Sequence, residues 1–464
     1  MGSKAVVLYP GLGVGHLTPM VQLAKLFRRH GVAVTVAVIE PPVKSPDFSA
    51  AVSRAAASNP SVTFHVLPQP PTPPAHAVSG SDGAPRDPML QMFDFLKAMN
   101  APLREFVRSL PTVDALVIDM FCIDALDVAA ELKLPVYTFY TSAAADLAVF
   151  LNLPCIRASM NTGFRELGDS LLSVPGAPPF KASDLPEPFK DGEVAKAIFR
   201  MFERMPASNG ILINTFESLE MRAIRALKDG LCVSNRATPP IYCIGPMVSE
   251  GGDQKHECLE WLDMQPDNSV VFLSFGSMGT FSKKQLQETA IGLDKSGQRF
   301  LWVVRSPLDS EQKVSNVFPD LVSLLPEGFL ERTKNTGLLL NSWAPQVEVL
   351  HHRATGAFIT HCGWNSTLEG ITAGLPLLCW PLYAEQRMNK VFIVEEMKLG
   401  VALKGYDEEL VKAEEIEAKV RWVMDSEGGR TLREHAIAKK IKGAQALEEG
   451  GLSRTTFLEL LNQL

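Results

Sequence analysis

An α/β chain with two domains, each on a mostly parallel, doubly wound sheet, is what this sequence predicts. Short apolar runs alternate with helical segments along both halves, an order that demands crossover connections and hence parallel strands. A glycine-rich turn, Gly11-Leu12-Gly13-Val14-Gly15, follows the first apolar run. The chain has 464 residues, whereas single cores stop growing at roughly 250–300. The expected division is 1–247, a linker over 248–257, 258–447, and a C-terminal helix over 448–464 that packs back on the first domain.

In order, Ala5–Tyr9 reads as a buried strand. A helix is expected over Thr18–His30, which Gly31 can end. Val32–Ile39 is the second strand, stopped by Pro41-Pro42. Val62–Leu67, Ala115–Ile118 and Val136–Tyr140 are further strands. The Pro-, Ser- and Gly-rich stretch Gln69–Pro88 reads as a mobile loop. The pattern pauses near Ile244-Gly245-Pro246, and Val248–His256 reads as a linker. A second series runs through Val270–Phe275, Phe300–Val304, Gly337–Asn341, Gly356–Thr360 and Pro376–Trp380, with helical patterns at Lys412–Met424 and Thr431–Glu449. Two such sheets facing across a cleft would set their ligand-binding strand ends opposite one another.

The net charge of −7, with dispersed Lys and Arg, argues against a nucleic-acid partner. Seven scattered cysteines with no C-x-x-C pair suit a reducing compartment. The first residues lack the apolar core of a signal peptide, and Val6 stands where myristoylation needs Ser or Thr. No apolar run approaches the ~20 residues of a membrane span. A cytoplasmic monomer is expected.

The glycine turn invites a dinucleotide reading, with Glu40 as the ribose carboxylate. His16, however, stands where the last fingerprint glycine belongs. An imidazole at the mouth of a sheet is instead a candidate base, with an unperturbed pKa near ~6.5; a plain turn or capping histidine is the alternative. Asp119 ends the strand after Ala115 and should reach the same edge, where a carboxylate can orient and stabilise an imidazolium. Asp114 falls at the opposite edge, and Asp124 reads as a helix N-cap.

In the second half, His361-Cys362-Gly363-Trp364-Asn365-Ser366-Thr367 follows a strand and opens a helix, whose free N–H groups attract anions. A helix end contributes only ~0.3–1 kcal/mol, so Asn365, Ser366 and Ser277 are candidate additional donors. Each also has an ordinary capping or turn reading. Trp343 is a candidate for stacking on a base or for the core. Gln346 and Glu369 are candidates for a ribose, and Glu385 and Gln386 for a sugar. His351 and His352 read as helix-end histidines favoured by the dipole. Neither the histidine spacing nor any Asp-x-Asp triplet supports a metal.

The segment Trp343–Gln386, with its Trp343-Ala344-Pro345-Gln346 start, His361–Ser366 centre, Glu369-Gly370 core and Glu385-Gln386 end, resembles the signature box of plant family 1 UDP-dependent glycosyltransferases. Gly15-His16, Ile118-Asp119 and Phe275-Gly276-Ser277 extend the resemblance along the chain. It implies a GT-B fold, two facing Rossmann-like domains, with the acceptor in the first and the UDP-sugar in the second. It implies uracil stacked on Trp343 in a UDP-sugar site that includes Ala344, ribose on Gln346 and Glu369, and diphosphate on His361, Asn365, Ser366 and Ser277. Trp364, Glu385, Gln386 and Thr141 would meet the sugar, and a terminal Gln is usual for glucose users. His16 would be the base and Asp119 its partner, with Phe121 and Tyr140 as acceptor walls. The implied reaction is an inverting glucose transfer from UDP-glucose to a small phenolic acceptor such as a flavonoid, without metal or other cofactor. C-glycosylation or another UDP-sugar remains open. An NAD(P)-dependent oxidoreductase and a non-catalytic nucleotide-sugar sensor are more distant alternatives.

Overall fold

The structure is a computed structural model and describes residues 4–43, 46–70, 86–233, 236–249, 251, 256–307, 320–341 and 343–464. Most of the expected loop over Gln69–Pro88, and residues 250 and 252–255 of the expected linker, lie outside the described residues. The chain divides into two compact units, one of Met1–Met247 with Ala446–Leu464 and one of Val248–Gln445.

In the first unit, seven strands form a parallel sheet: β1 (Ala5–Tyr9), β2 (Ala33–Val38), β3 (Thr63–Val66), β4 (Ala115–Asp119), β5 (Val136–Tyr140), β6 (Gly210–Ile213) and β7 (Ile241–Cys243). Their order is β3-β2-β1-β4-β5-β6-β7. The order in which strands are added reverses between β1 and β4, and ligands bind outside the C-terminal ends of strands at such a switch point. Helix α1 (Val14–Arg29) packs Leu17, Met20, Leu23, Ala24 and Phe27 against Val6, Leu8, Val34 and Val36. The C-terminal helix (Leu452–Gln463) adds Phe457, whose ring centroid is 5.1 Å from that of Phe27. Burying such a side chain stabilises by ~1.5–3 kcal/mol.

Helix α1 starts four residues earlier than Thr18. Leu17 N–H already donates to the Gly13 carbonyl at 3.1 Å. Pro19 therefore lies inside the helix and removes one bond, to Gly15, near an end where few bonds exist to lose. His16 consequently sits in the first helical turn. Gly31, at φ 77°, closes α1 as expected: its N–H donates to Arg28 and that of Val32 to Phe27.

In the second unit, β8 (Val270–Ser274), β9 (Arg299–Val304), β10 (Gly337–Asn341), β11 (Thr355–Thr360), β12 (Leu377–Cys379) and β13 (Gly400–Ala402) form a parallel sheet. The order is β10-β9-β8-β11-β12-β13, with the switch point between β8 and β11. Its core gathers Val271, Leu273, Phe300, Trp302, Ile359, Trp380, Ile416 and Val420. The parallel α/β class read from the sequence is the one found. Among the described residues, no helix is long and apolar enough to cross a membrane.

Candidate active site

In the first unit the switch point brings two sequence-distant residues together. His16 follows β1 and Asp119 ends β4, and these strands are neighbours. His16 Nδ1 lies 2.8 Å from Asp119 Oδ2. The imidazole is 23% exposed and the carboxylate is fully buried. Asp119 Oδ1 accepts from the Phe121 backbone N–H at 3.0 Å. With both carboxylate oxygens engaged as acceptors, the proton belongs on Nδ1, which leaves a lone pair on Nε2. Thr141 Oγ1 stands 3.2 Å from the same Nδ1; this is where the structure places the residue expected at the sugar.

Phe121 touches the base with its ring, the two centroids lying 5.1 Å apart. It also lines a cavity of about 640 Å³ whose other walls are partly apolar, as Leu90, Phe93 and Met201, and partly charged, as Arg86, Asp94 and Arg204. Tyr140 does not belong to such a wall. It has no exposed surface, because β5 is central and buried along its whole length. Asp124 occupies the N-cap position expected of it but makes no capping bond; its carboxylate pairs with Arg204 instead. Asp114 accepts from Ala5 N–H at 2.7 Å, at the far end of the strands from His16.

In the second unit, β11 delivers His361 to the switch point, and helix α2 (Trp364–Ala373) begins three residues later than His361. Gly363 is its N-cap and supplies no side chain, so no side-chain cap occupies the first-turn N–H groups. His361 is buried, and burial pushes its pKa down to about 4. It is therefore a neutral hydrogen-bonding group in the free protein. Gly276 and Gly363 make room for it: a Cβ at either would stand 2.6 or 2.5 Å from Nε2. Ser277 lies in the exposed turn beyond β8.

Helix α3 (Gln346–His351) presents Gln346 to α2. Its Nε2 donates to Ser366 Oγ at 2.9 Å and to Glu369 Oε2 at 2.6 Å. Burial pushes the Glu369 carboxyl up to about 7, against the opposing pull of the Gln346 bond. Trp343 is 55% exposed and rests edge-on against His256, centroids 5.7 Å apart. Its indole face is thus available for a planar ring. Ala344 beside it is buried. His351 differs from the charged helix-end residue expected: burial and nearby Lys440 both lower its pKa. His352 is paired with Asp263 at 3.1 Å.

Helix α4 (Gln386–Val391) starts with Glu385 as its N-cap. Gln386 is buried, and its Oε1 accepts from the N–H groups of Leu382 and Tyr383 at 2.9 and 3.0 Å. Its amide nitrogen, which also neighbours the Tyr383 phenol, is the atom left to meet a sugar hydroxyl. Trp364 is 3% exposed, so a sugar at this helix start would meet its backbone N–H and not its ring. Among the described residues, no cluster of three His, Cys, Asp or Glu side chains is arranged for a metal. Gly11, Tyr383 and Asn389 escaped the sequence reading. Gly11 was visible only as part of the glycine turn, and Asn389 lies beyond the box.

Residues 237–430 match the family described as UDP-glucoronosyl and UDP-glucosyl transferase. The chain is 42% identical over 480 residues to an anthocyanidin 5,3-O-glucosyltransferase from a Rosa hybrid cultivar, covering 99% of this chain and 98% of that one. It is 39% identical over 490 residues to a phloretin 2'-O-glucosyltransferase from Malus domestica, with both fully covered. Phytolacca americana UGT2, solved with UDP-2fluoro-glucose and pterostilbene, superposes with a TM-score of 0.88 at 34% identity over 99% of each chain. TcCGT1 in complex with UDP gives 0.88 at 31% identity, over 100% of this chain and 99% of the other. End-to-end likeness of this degree, on the same pair of Rossmann-like sheets, makes the chain a member of the plant UDP-dependent glycosyltransferase family and an enzyme of the GT-B fold.

Proposed function

We propose that the enzyme moves glucose from UDP-glucose to a hydroxyl of a small phenolic acceptor, with inversion at the anomeric carbon. The observation that carries this reading is the His16–Asp119 pair, in which the carboxylate holds the proton on Nδ1 and so makes Nε2 the basic nitrogen, in the first turn of α1. Nε2 takes the acceptor proton as the phenolic oxygen attacks the anomeric carbon. The bond to the UDP oxygen breaks in the same displacement, which inverts the centre and needs no covalent sugar–enzyme intermediate. Phenols ionise near ~10 and imidazolium near ~6.5, so full deprotonation before attack is uphill and proton transfer accompanies bond formation. Buried Asp119 stabilises the imidazolium that results.

Departing UDP carries its charge to the start of α2, where uncapped N–H groups, Asn365 and Ser366 meet it. Neutral His361 serves here as a hydrogen-bond donor. Trp343 stacks on uracil, Gln346 and Glu369 hold the ribose, and Glu385 and Gln386 the glucose. No metal is required on this reading, since dipoles and side chains do the work of a divalent ion. The relatives named for anthocyanidin and phloretin glucosylation support a flavonoid-like acceptor. The seven free cysteines support a cytoplasmic, reducing location for what we take to be a monomer.

A donor-by-acceptor screen by mass spectrometry tests this. UDP-glucose, UDP-galactose and UDP-glucuronate are each offered with a panel of phenols. Acid-labile hexosides formed best from UDP-glucose are expected. Acid-resistant products would move the reading to C-glycosylation, and a different preferred donor would remove glucose from it.

A further inference from the structure

Asn389 has no exposed surface and lies on α4, one turn beyond Glu385. Its Nδ2 donates to the Cys362 carbonyl at 3.0 Å. The same Nδ2 lies 3.5 Å from Glu385 Oε1, so one amide reaches both the start of α4 and the turn that opens α2.

That turn is strained. Cys362 has φ 66°, a left-handed conformation that costs a residue with a side chain ~1–2 kcal/mol and persists only where its surroundings impose it. Thr360 Oγ1 holds one side of it, accepting from Cys362 N–H at 3.2 Å. Asn389 holds the other. The next residue, Gly363, is the N-cap of α2, so the direction of the first N–H groups of α2 is set by the turn these two bonds define.

We infer that Asn389 is a positioning residue for the donor diphosphate: it locks the Cys362 turn so that the α2 start and Glu385 address one UDP-sugar in fixed register. The inference rests on the donor-site reading above. It concerns a residue that does not itself touch the sugar nucleotide but acts through the Cys362 backbone.

The uridine end of the ligand separates this from a merely structural role. Trp343, Gln346 and Glu369 meet uridine without the Cys362 turn, whereas a diphosphate needs it. Binding of UDP and of uridine is measured by NMR titration for the wild type, Asn389→Ala and Asn389→Leu; leucine keeps the volume should alanine impair folding. Loss of one buried hydrogen bond and the geometry it holds should weaken UDP by about tenfold while leaving uridine within about twofold of wild type. Adding Cys362→Gly, which makes the left-handed turn free of strain, should restore part of the lost UDP affinity. Equal weakening of UDP and uridine, or unchanged UDP binding in both variants, would overturn the inference. A wild-type enzyme that binds neither ligand would overturn the donor-site reading and this inference with it.

Discussion

Asp119 occupies the space that a side chain on Gly11 would need: a Cβ at Gly11 would stand 2.6 Å from Asp119 Oδ1 and 3.0 Å from its carboxyl carbon. The fully buried carboxylate can reach His16 because Gly11, the second residue beyond β1, has no side chain. Gly11→Ala should displace Asp119 and lower kcat by tenfold or more, on the order of 1.4 kcal/mol. Asp119→Asn, which keeps the shape but loses the charge, should cost more, roughly 10²–10⁴. Both variants should bind UDP-glucose normally. Steady-state kinetics with calorimetric donor binding checks this; full activity in Gly11→Ala would mean Asp119 tolerates being moved.

On the proposed reading, Glu369 should make donor binding depend on pH near neutrality. Its carboxyl, raised to about 7 by burial, is largely protonated in mildly acidic solution. A ribose diol donates to a carboxylate, so UDP-glucose affinity should rise as pH climbs through about 7, and Glu369→Gln should flatten the profile. UDP-glucose lacks a phosphate ionisation there, so the slope belongs to the protein. The stability consequences run in opposite senses for two buried groups. For Glu369, the folded pKa is raised, so its contribution is present below the unfolded value near ~4.3 and is lost as pH rises through about 7. For His361, the folded pKa is lowered, so its contribution is present above ~6.5 and is lost as pH falls through about 4.

Trp343 is 55% exposed and rests edge-on against His256. Trp343→Ala should therefore leave the melting temperature nearly unchanged while weakening UDP, since base–aromatic stacking contributes ~1–3 kcal/mol. Calorimetry of UDP binding beside thermal unfolding distinguishes this from a packing role, which would lower both.

Gln386→His should lower glucose transfer and thermal stability together. The native amide braces Leu382 and Tyr383 through two backbone bonds, and an imidazole cannot reproduce both. Relative rates with UDP-glucose and UDP-galactose, measured beside the melting temperature, check this. Unchanged donor preference would take Gln386 out of the sugar site.

The two sheets were legible because their strands are apolar runs of five or six residues bounded by turn signals, as in Ala5–Tyr9 and Gly337–Asn341. Gly210–Ile213, Ile241–Cys243 and Gly400–Ala402 passed unnoticed; Thr63–Val66 and Leu377–Cys379 are as short, but were read from the longer runs Val62–Leu67 and Pro376–Trp380 that contain them. The His16–Asp119 pairing was accessible from strand ends alone: parallel strands bring residues that follow them to one edge. Burial was less accessible. Tyr140 and Trp364 both read as ligand-facing aromatics, yet both are core, because neighbours far along the chain cover them. Gly11 and Asn389 act by what they allow or hold in another segment, which no local pattern announces.

On the proposed mechanism, His16 removes the acceptor proton while a separate set of residues holds UDP. His16→Ala tests it most directly, with glucosyl transfer to a phenol followed by mass spectrometry and UDP affinity measured by calorimetry on the same preparation. Transfer should vanish while UDP affinity stays within about twofold of wild type. Equal loss of transfer and of UDP binding, or transfer that survives the substitution, would contradict a catalytic role for the histidine.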